Sequence, residues 1–228
     1  MSPEQISGYA KRHNLFSIGT EWIYQFILKD KEEGGKLYLH LRHQNKKYRK
    51  RYGSPKRQGP IKNRRFIDDR PAIVNEKKRI GDWEIDTIIG KLQKQAVISI
   101  VERVSKKTIL KKVQTRSARM VTAATIAGLK SYLGSVFSIT GDNGTEFAYH
   151  EEISKELGTE FYFAHPYSSW ERGLNENTNG LVRQYLKKGS DFREVTDDCL
   201  AHIADQLNNR PRKSLGYASP NEVFMAKI

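Results

Sequence analysis

The chain has 228 residues, 37% of them hydrophobic, enough for a real core in one or two domains, which excludes disorder throughout. Lys and Arg number 40 against 26 Asp and Glu, a net charge of +14. The longest stretch free of charge is Ser131–Gly141, 11 residues, against the roughly 20 apolar residues of a bilayer-spanning helix, and no signal peptide opens the chain.

Ser2-Pro3-Glu4-Gln5 reads as a helix start, with a cap serine, proline at the first helical position and Gln three residues after the cap. A second helix opens at Ile18-Gly19-Thr20 and carries Ile23, Phe26 and Ile27 at helical spacing. Two short helices with a glycine in the turn predict a helix-turn-helix-like DNA-binding segment over 1–33. Residues 34–75 read as a basic linker rich in Gly and Pro. Between Gly34 and Ile67 stand 12 basic residues and no acidic one. Such a run repels itself unless it meets a polyanion, so nucleic acid is the expected partner; a solubilising tail is the bland alternative. The linker cations Lys46, Lys47, Arg49, Lys50, Arg51, Arg64 and Arg65 are assigned to DNA.

From residue 76 to 228 the chain reads as one α/β domain. Trp83–Ile89, Ala96–Val101 and Thr108–Val113 predict three strands in an antiparallel meander. A largely buried helix over Ala118–Leu133 follows, then a strand at Val136–Thr140, a helix at Glu146–Leu157 and a strand at Glu160–Ala164. A long helix is expected from Glu171 to Lys188 and another over Asp197–Asn208. Cys199, the single cysteine, cannot form an internal disulfide or a cysteine-rich zinc site; it reads as a small buried residue in a reducing, cytoplasmic setting.

Three carboxylates stand out. Asp86 interrupts the apolar strand WEIDTII, where an unpaired charge is costly. Asp142 follows a strand in SITGDNGTEF, and strand ends are where α/β sheets place functional groups. Glu176 lies in the helix that follows, with 33 residues between it and Asp142. Each has a bland alternative. Asp86 could face solvent on an edge strand with Asp82 and Glu84, Asp142 could belong to the Asp-Asn-Gly turn, and Glu176 could be a solvated helix residue. Glu171 is a rival to Glu176, although Ser168-x-x-Glu171 fits a capping box better. His165 and Trp170 read as loop-packing residues, and Asn175, Asn177 and Asn179 could touch phosphates or stay solvated.

TGDNGTEF and HPYSSWERGLNENTNGLVRQYLKKG, with GDWEIDTIIGK upstream and LNNRPRKSLGYASPNEVF downstream, resemble the bacterial insertion-sequence-thirty family of transposases. The resemblance covers essentially the whole chain. It implies a retroviral-integrase-like catalytic core, an RNase H-like mixed sheet flanked by helices, with Asp86, Asp142 and Glu176 as a DDE triad. By this resemblance the triad holds two Mg²⁺ ions, for which Mn²⁺ can substitute; hard cations prefer carboxylate oxygens. Two metals about 4 Å apart suit phosphodiester chemistry. The implied function is metal-dependent strand cleavage and strand transfer of an insertion sequence, by a homo-oligomer on transposon-end and target DNA, with no membrane partner. Arg183, seven residues after Glu176, is expected on the same helical face and in contact with the DNA end, with Lys187 beside it. Family members carry a longer N-terminal portion with a further DNA-binding module, so the resemblance reads this chain as an N-terminally truncated copy. A truncated copy acting only as a DNA-binding regulator is the alternative function. Gly19 also replaces the family's cap serine, leaving Thr20 as the expected cap.

Overall fold

The computed structural model describes residues 1–42, 61–91, 95–166 and 168–227. These fall into two compact units, residues 1–42 with 210–219, and residues 61–209 with 220–227.

In the first unit, helix α1 (Pro3–Arg12) begins as expected: Ser2 Oγ accepts from the Gln5 amide while the Gln5 side chain accepts from the Ser2 amide. Helix α2 (Thr20–Glu32) starts at Gly19 without a side-chain cap, so Thr20 does not replace the missing serine. Thr20 is already the first helical residue, one position too late to cap. The segment 210–219 packs with these helices: Gln5 donates to the Pro211 carbonyl, and Lys213 pairs with Glu4 at 2.7 Å.

The second unit is built on five strands, β1 (Asp82–Ile89), β2 (Ala96–Glu102), β3 (Thr108–Val113), β4 (Ser138–Gly141) and β5 (Glu160–Phe163), in the order β3-β2-β1-β4-β5. The first three form the expected antiparallel meander; β1, β4 and β5 run parallel. Period-2 alternation gives the sheet two apolar faces. One carries Trp83, Ile85, Ile98 and Ile100 into a core with α4 (Ala118–Leu129) and α5 (His150–Leu157). The other carries Ile88 and Val97 into a core with α6 (Gly173–Val182) and α7 (Asp197–Asn208). The short helices α3 (Ala72–Glu76) and α8 (Pro220–Met225) complete the unit. Among the described residues no helix is long and apolar enough to cross a membrane.

Three expectations are corrected. The helix expected to run from Glu171 to Lys188 is a 3₁₀ turn over Ser169–Arg172 followed by α6, which ends at Val182. Beyond Val182 the amides of Gln184 and Tyr185 reach back only three residues, the tighter pattern that closes a helix. Cys199 is exposed in the first turn of α7, whose cap Thr196 accepts from the Cys199 amide. Trp170 is 75% exposed rather than a loop anchor.

Candidate active site

Strand β1 is central, so every other one of its residues faces the layer of α6. On that face stand three carboxylates, Asp82, Glu84 and Asp86. A central position excludes the solvent-facing alternative, and Asp82 and Glu84 are indeed almost wholly buried. Asp82 forms a two-bond fork with Arg79, both bonds 2.9 Å, and accepts from Ser138 Oγ at 2.6 Å. Glu84 pairs with Arg103 at 2.7 Å. Its other oxygen accepts from the Asn175 amide at 3.3 Å, in the first turn of α6. The strand thereby caps a helix that has no side-chain cap of its own.

Asp86 is different. Its Oδ2 accepts from Asn179 Nδ2 at 2.8 Å, and Asn179 in turn accepts from Ser99 Oγ at 2.7 Å. Asn179 therefore holds a carboxylate, neither of the roles the sequence left open. The partner of Asp86 on β4 follows from the parallel register: Asp82 pairs with Ser138 and Glu84 with Thr140. Two residues further, that register sets Asp86 beside Asp142, where β4 has just ended. An Asx turn holds Asp142, its Oδ1 accepting from the Gly144 amide at 2.9 Å. The turn and the strand-end placement are thus the same feature.

A guanidinium lies between the two aspartates. Arg172 NH1 is 3.6 Å from Asp86 Oδ1, and NH2 is 3.6 Å from Asp142 Oδ2. Burial pushes the Asp86 carboxyl up to about 6; Arg172 opposes the rise, and the charges of Asp142 and Glu146 add to it. Asp142 is raised too, again chiefly by burial. Glu146, also in the GDNGTEF motif, accepts from Thr87 Oγ1 at 2.8 Å and pairs with Arg116 at 2.6 Å. Neither Glu146 nor Arg172 stands out in the sequence. Their only signal there is membership of the two long motifs.

Glu176 is exposed on the first turn of α6, four residues after Arg172. The fold brings Asp86 and Asp142 together; among the described residues no three acidic, histidine or cysteine side chains are grouped closely enough to hold a metal ion. Glu171 forms no capping box. It accepts instead from the His165 amide at 2.8 Å and from the His165 ring at 2.9 Å. The other ring nitrogen of His165 meets Asp68 at 2.8 Å, and Phe66 stacks on the ring at 5.6 Å.

Of the expected DNA contacts, Lys46, Lys47, Arg49, Lys50 and Arg51 lie outside the described residues. Arg64 donates to Asn143 Oδ1 at 2.7 Å, beside Asp142, and Arg65 pairs with Glu160. Lys187 is exposed. Arg183 spends its donors on the protein: NH2 reaches the Ile89 carbonyl at 2.8 Å and NH1 the Leu186 and Lys187 carbonyls at 3.4 Å. Those bonds fasten the last turn of α6 to the end of β1.

No family model matches the chain. It is 48% identical over 98% of its length to the transposase for insertion sequence element IS4351 of Bacteroides fragilis. It is 37% identical over 98% to the transposase for IS1086 of Cupriavidus metallidurans, and 34% identical over 98% to transposase InsI for IS30A of Escherichia coli. The chain spans 68%, 68% and 61% of those proteins. The fold matches a chain of the simian T-cell lymphotropic virus intasome in complex with PP2A regulatory subunit B56 gamma, with a TM-score of 0.53 over 74% of this chain and 59% of that one, at 16% identity. With its antiparallel β1–β3 and parallel β1, β4 and β5, the second unit has an RNase H-like fold, and the chain belongs to the IS30-type family of insertion-sequence transposases.

Proposed function

We propose that this transposase cleaves the ends of its insertion sequence and joins them to target DNA at the Asp86–Asp142 pair, with Glu176 as the third carboxylate. The observation that carries this reading is the convergence of the two aspartates on one cation, from the middle of β1 and the end of β4.

The donors fit divalent magnesium, with manganese as a substitute. They are hard carboxylate oxygens, their mutual repulsion already requires a cation, and the missing Cβ of Gly144 lets the Glu146 carboxylate crowd in beside Asp142. Two such ions supply activation of the attacking oxygen and stabilisation of the leaving one. The protein's own part is placement. The β1–β4 register sets the two aspartates side by side, Asn179 and the Gly144 amide orient them, and α6 carries Glu176 on its exposed first turn. Water attacks the phosphodiester at the transposon end and frees a 3′-OH. That hydroxyl then attacks a target phosphodiester, exchanging one ester for another without a covalent protein intermediate. Lys187, Arg64 and the basic run 46–51 bring phosphate to the site. The active species is a homo-oligomer on DNA.

The test is cleavage of a duplex carrying the terminal repeat that flanks the protein's own gene, in Mg²⁺. Asp142→Asn, Asp86→Asn and Glu176→Gln should each abolish cleavage while DNA binding persists, because a negative charge facing phosphate has been removed. Full cleavage by any one of them would take that residue out of the site.

A further inference from the structure

Resting on the metal reading above, we propose that Arg172 is a built-in counter-cation for the Asp86–Asp142 pair, occupying the place of a divalent ion until one displaces it.

The three carboxylates on one face of β1 provide an internal comparison. Each has its own arginine: Arg79 for Asp82, Arg103 for Glu84 and Arg172 for Asp86. The first two pairs close to 2.9 and 2.7 Å, and their carboxylates are 1% and 3% exposed. These are structural ion pairs. The third stands off at 3.6 Å from two carboxylates at once, which are 22% and 38% exposed. At that distance charge is balanced without hydrogen bonds. Arg172 is itself only 12% exposed, yet among the described residues its side chain's single hydrogen bond is a 3.3 Å contact to the Ile85 carbonyl. A buried guanidinium held so loosely is cheap to release, whereas one truncated out of a tight pair leaves a costly orphan.

The position of Arg172 gives the release a direction. It is the residue immediately before α6, at the end of a 3₁₀ turn, so it can turn outward without unwinding the helix that carries Glu176. A cation entering between the aspartates repels the guanidinium, and a DNA phosphate outside the site attracts it. Metal and DNA binding are then coupled, each favouring the other.

The experiment measures Mn²⁺ affinity of the full chain by titration calorimetry and electron paramagnetic resonance, with and without a short DNA duplex, for wild type, Arg172→Gln and Arg172→Lys. Losing one positive charge a few ångströms from the ion should tighten Mn²⁺ binding about tenfold in Arg172→Gln without DNA. Arg172→Lys should fall between it and wild type. Addition of DNA should tighten Mn²⁺ binding in wild type and do so much less in Arg172→Gln. The melting temperature without metal should drop in Arg172→Gln and recover more on adding Mn²⁺ than in wild type. Measurable Mn²⁺ binding that is equal in wild type and both variants overturns the exchange and leaves the metal reading standing. Absence of Mn²⁺ binding in all three overturns both.

Discussion

A methyl group added at Gly144 would lie 2.4 Å from Glu146 Oε2 and 2.8 Å from Asp142 Oδ1. Both atoms belong to carboxylates already held elsewhere, Glu146 by Arg116 and Thr87, Asp142 by the Gly144 amide itself. The backbone at Gly144 is extended and open to any residue, so the demand for glycine here is one of space alone. Gly144→Ala should therefore fold and displace Asp142, lowering kcat/KM for strand cleavage by roughly a hundredfold, as ångström-scale misplacement does. Cleavage kinetics beside a melting curve check it; unchanged kcat/KM would mean the carboxylates can part freely. Asp86 makes a second prediction at this scale. Its folded value of about 6 lies above the ordinary carboxylate value of about 3.9, so the folded protein holds the extra proton between those limits. Stability from this group is present at low pH and lost as pH rises through about 6. Asp86→Asn should raise the metal-free melting temperature by a few degrees at pH 7 and leave it unchanged near pH 4. A variant less stable than wild type at pH 7 would mean that the Asn179 and Arg172 contacts outweigh the burial of the charge.

At the scale of elements, strand and helix positions follow from hydrophobic period, whereas helix ends follow from partners distant in sequence. The segment Asp197–Asn208 reads as a helix from its sequence, and α7 has those limits, with its cap supplied locally by Thr196. Helix α6 begins two residues later than its sequence indicates because its first turn is capped by Glu84, 91 residues away. No local pattern carries that information. The acidic pair is legible through Asp86's misfit in an apolar strand and Asp142's strand end. Arg172 is not, because an arginine in a polar motif looks the same whether it faces water or two aspartates. The loop leading to α6 has a fastening of its own in His165, which bridges Glu171 and Asp68. The hydrogen bond to Glu171, with the charge of Asp68 adding to it, raises the His165 value above that of a free histidine. Its stabilising contribution is then full below about pH 6.5 and fades as pH rises through the raised folded value. His165→Ala should lower the melting temperature at pH 6 and have a smaller effect at pH 9. Equal losses at both would show that the ring acts through its stacking on Phe66 and not through charge.

For the whole molecule, charge is distributed along the chain as unevenly as structure. The stretch 81–228 holds 20 basic and 18 acidic residues, and many of its cations are committed within the fold: Arg103 to Glu84, Arg116 to Glu146 and Arg172 to the aspartates. Arg64 and Arg65, at the end of the basic run, also have partners in the second unit, Asn143 and Glu160. The run's remaining concentrated charge is Lys46, Lys47, Arg49, Lys50, Arg51, Lys56 and Arg57, seven cations without an acidic residue among them. If these neutralise DNA phosphates, they release counterions, and the slope of log affinity against log salt should be shallower when they are replaced, by about 0.9 for each phosphate no longer neutralised. Replacing all seven with serine should flatten the slope by at most about 6, leave sequence preference unchanged and leave the melting temperature of the catalytic unit where it was. Replacing Arg64 and Arg65 should instead also lower melting, because their partners lie within the fold. The measurement is duplex affinity across a salt series for the two sets of variants. A slope unmoved by the sevenfold replacement, in a protein that melts normally, would mean that the run is a solubilising connection and that DNA is gripped by the folded units alone.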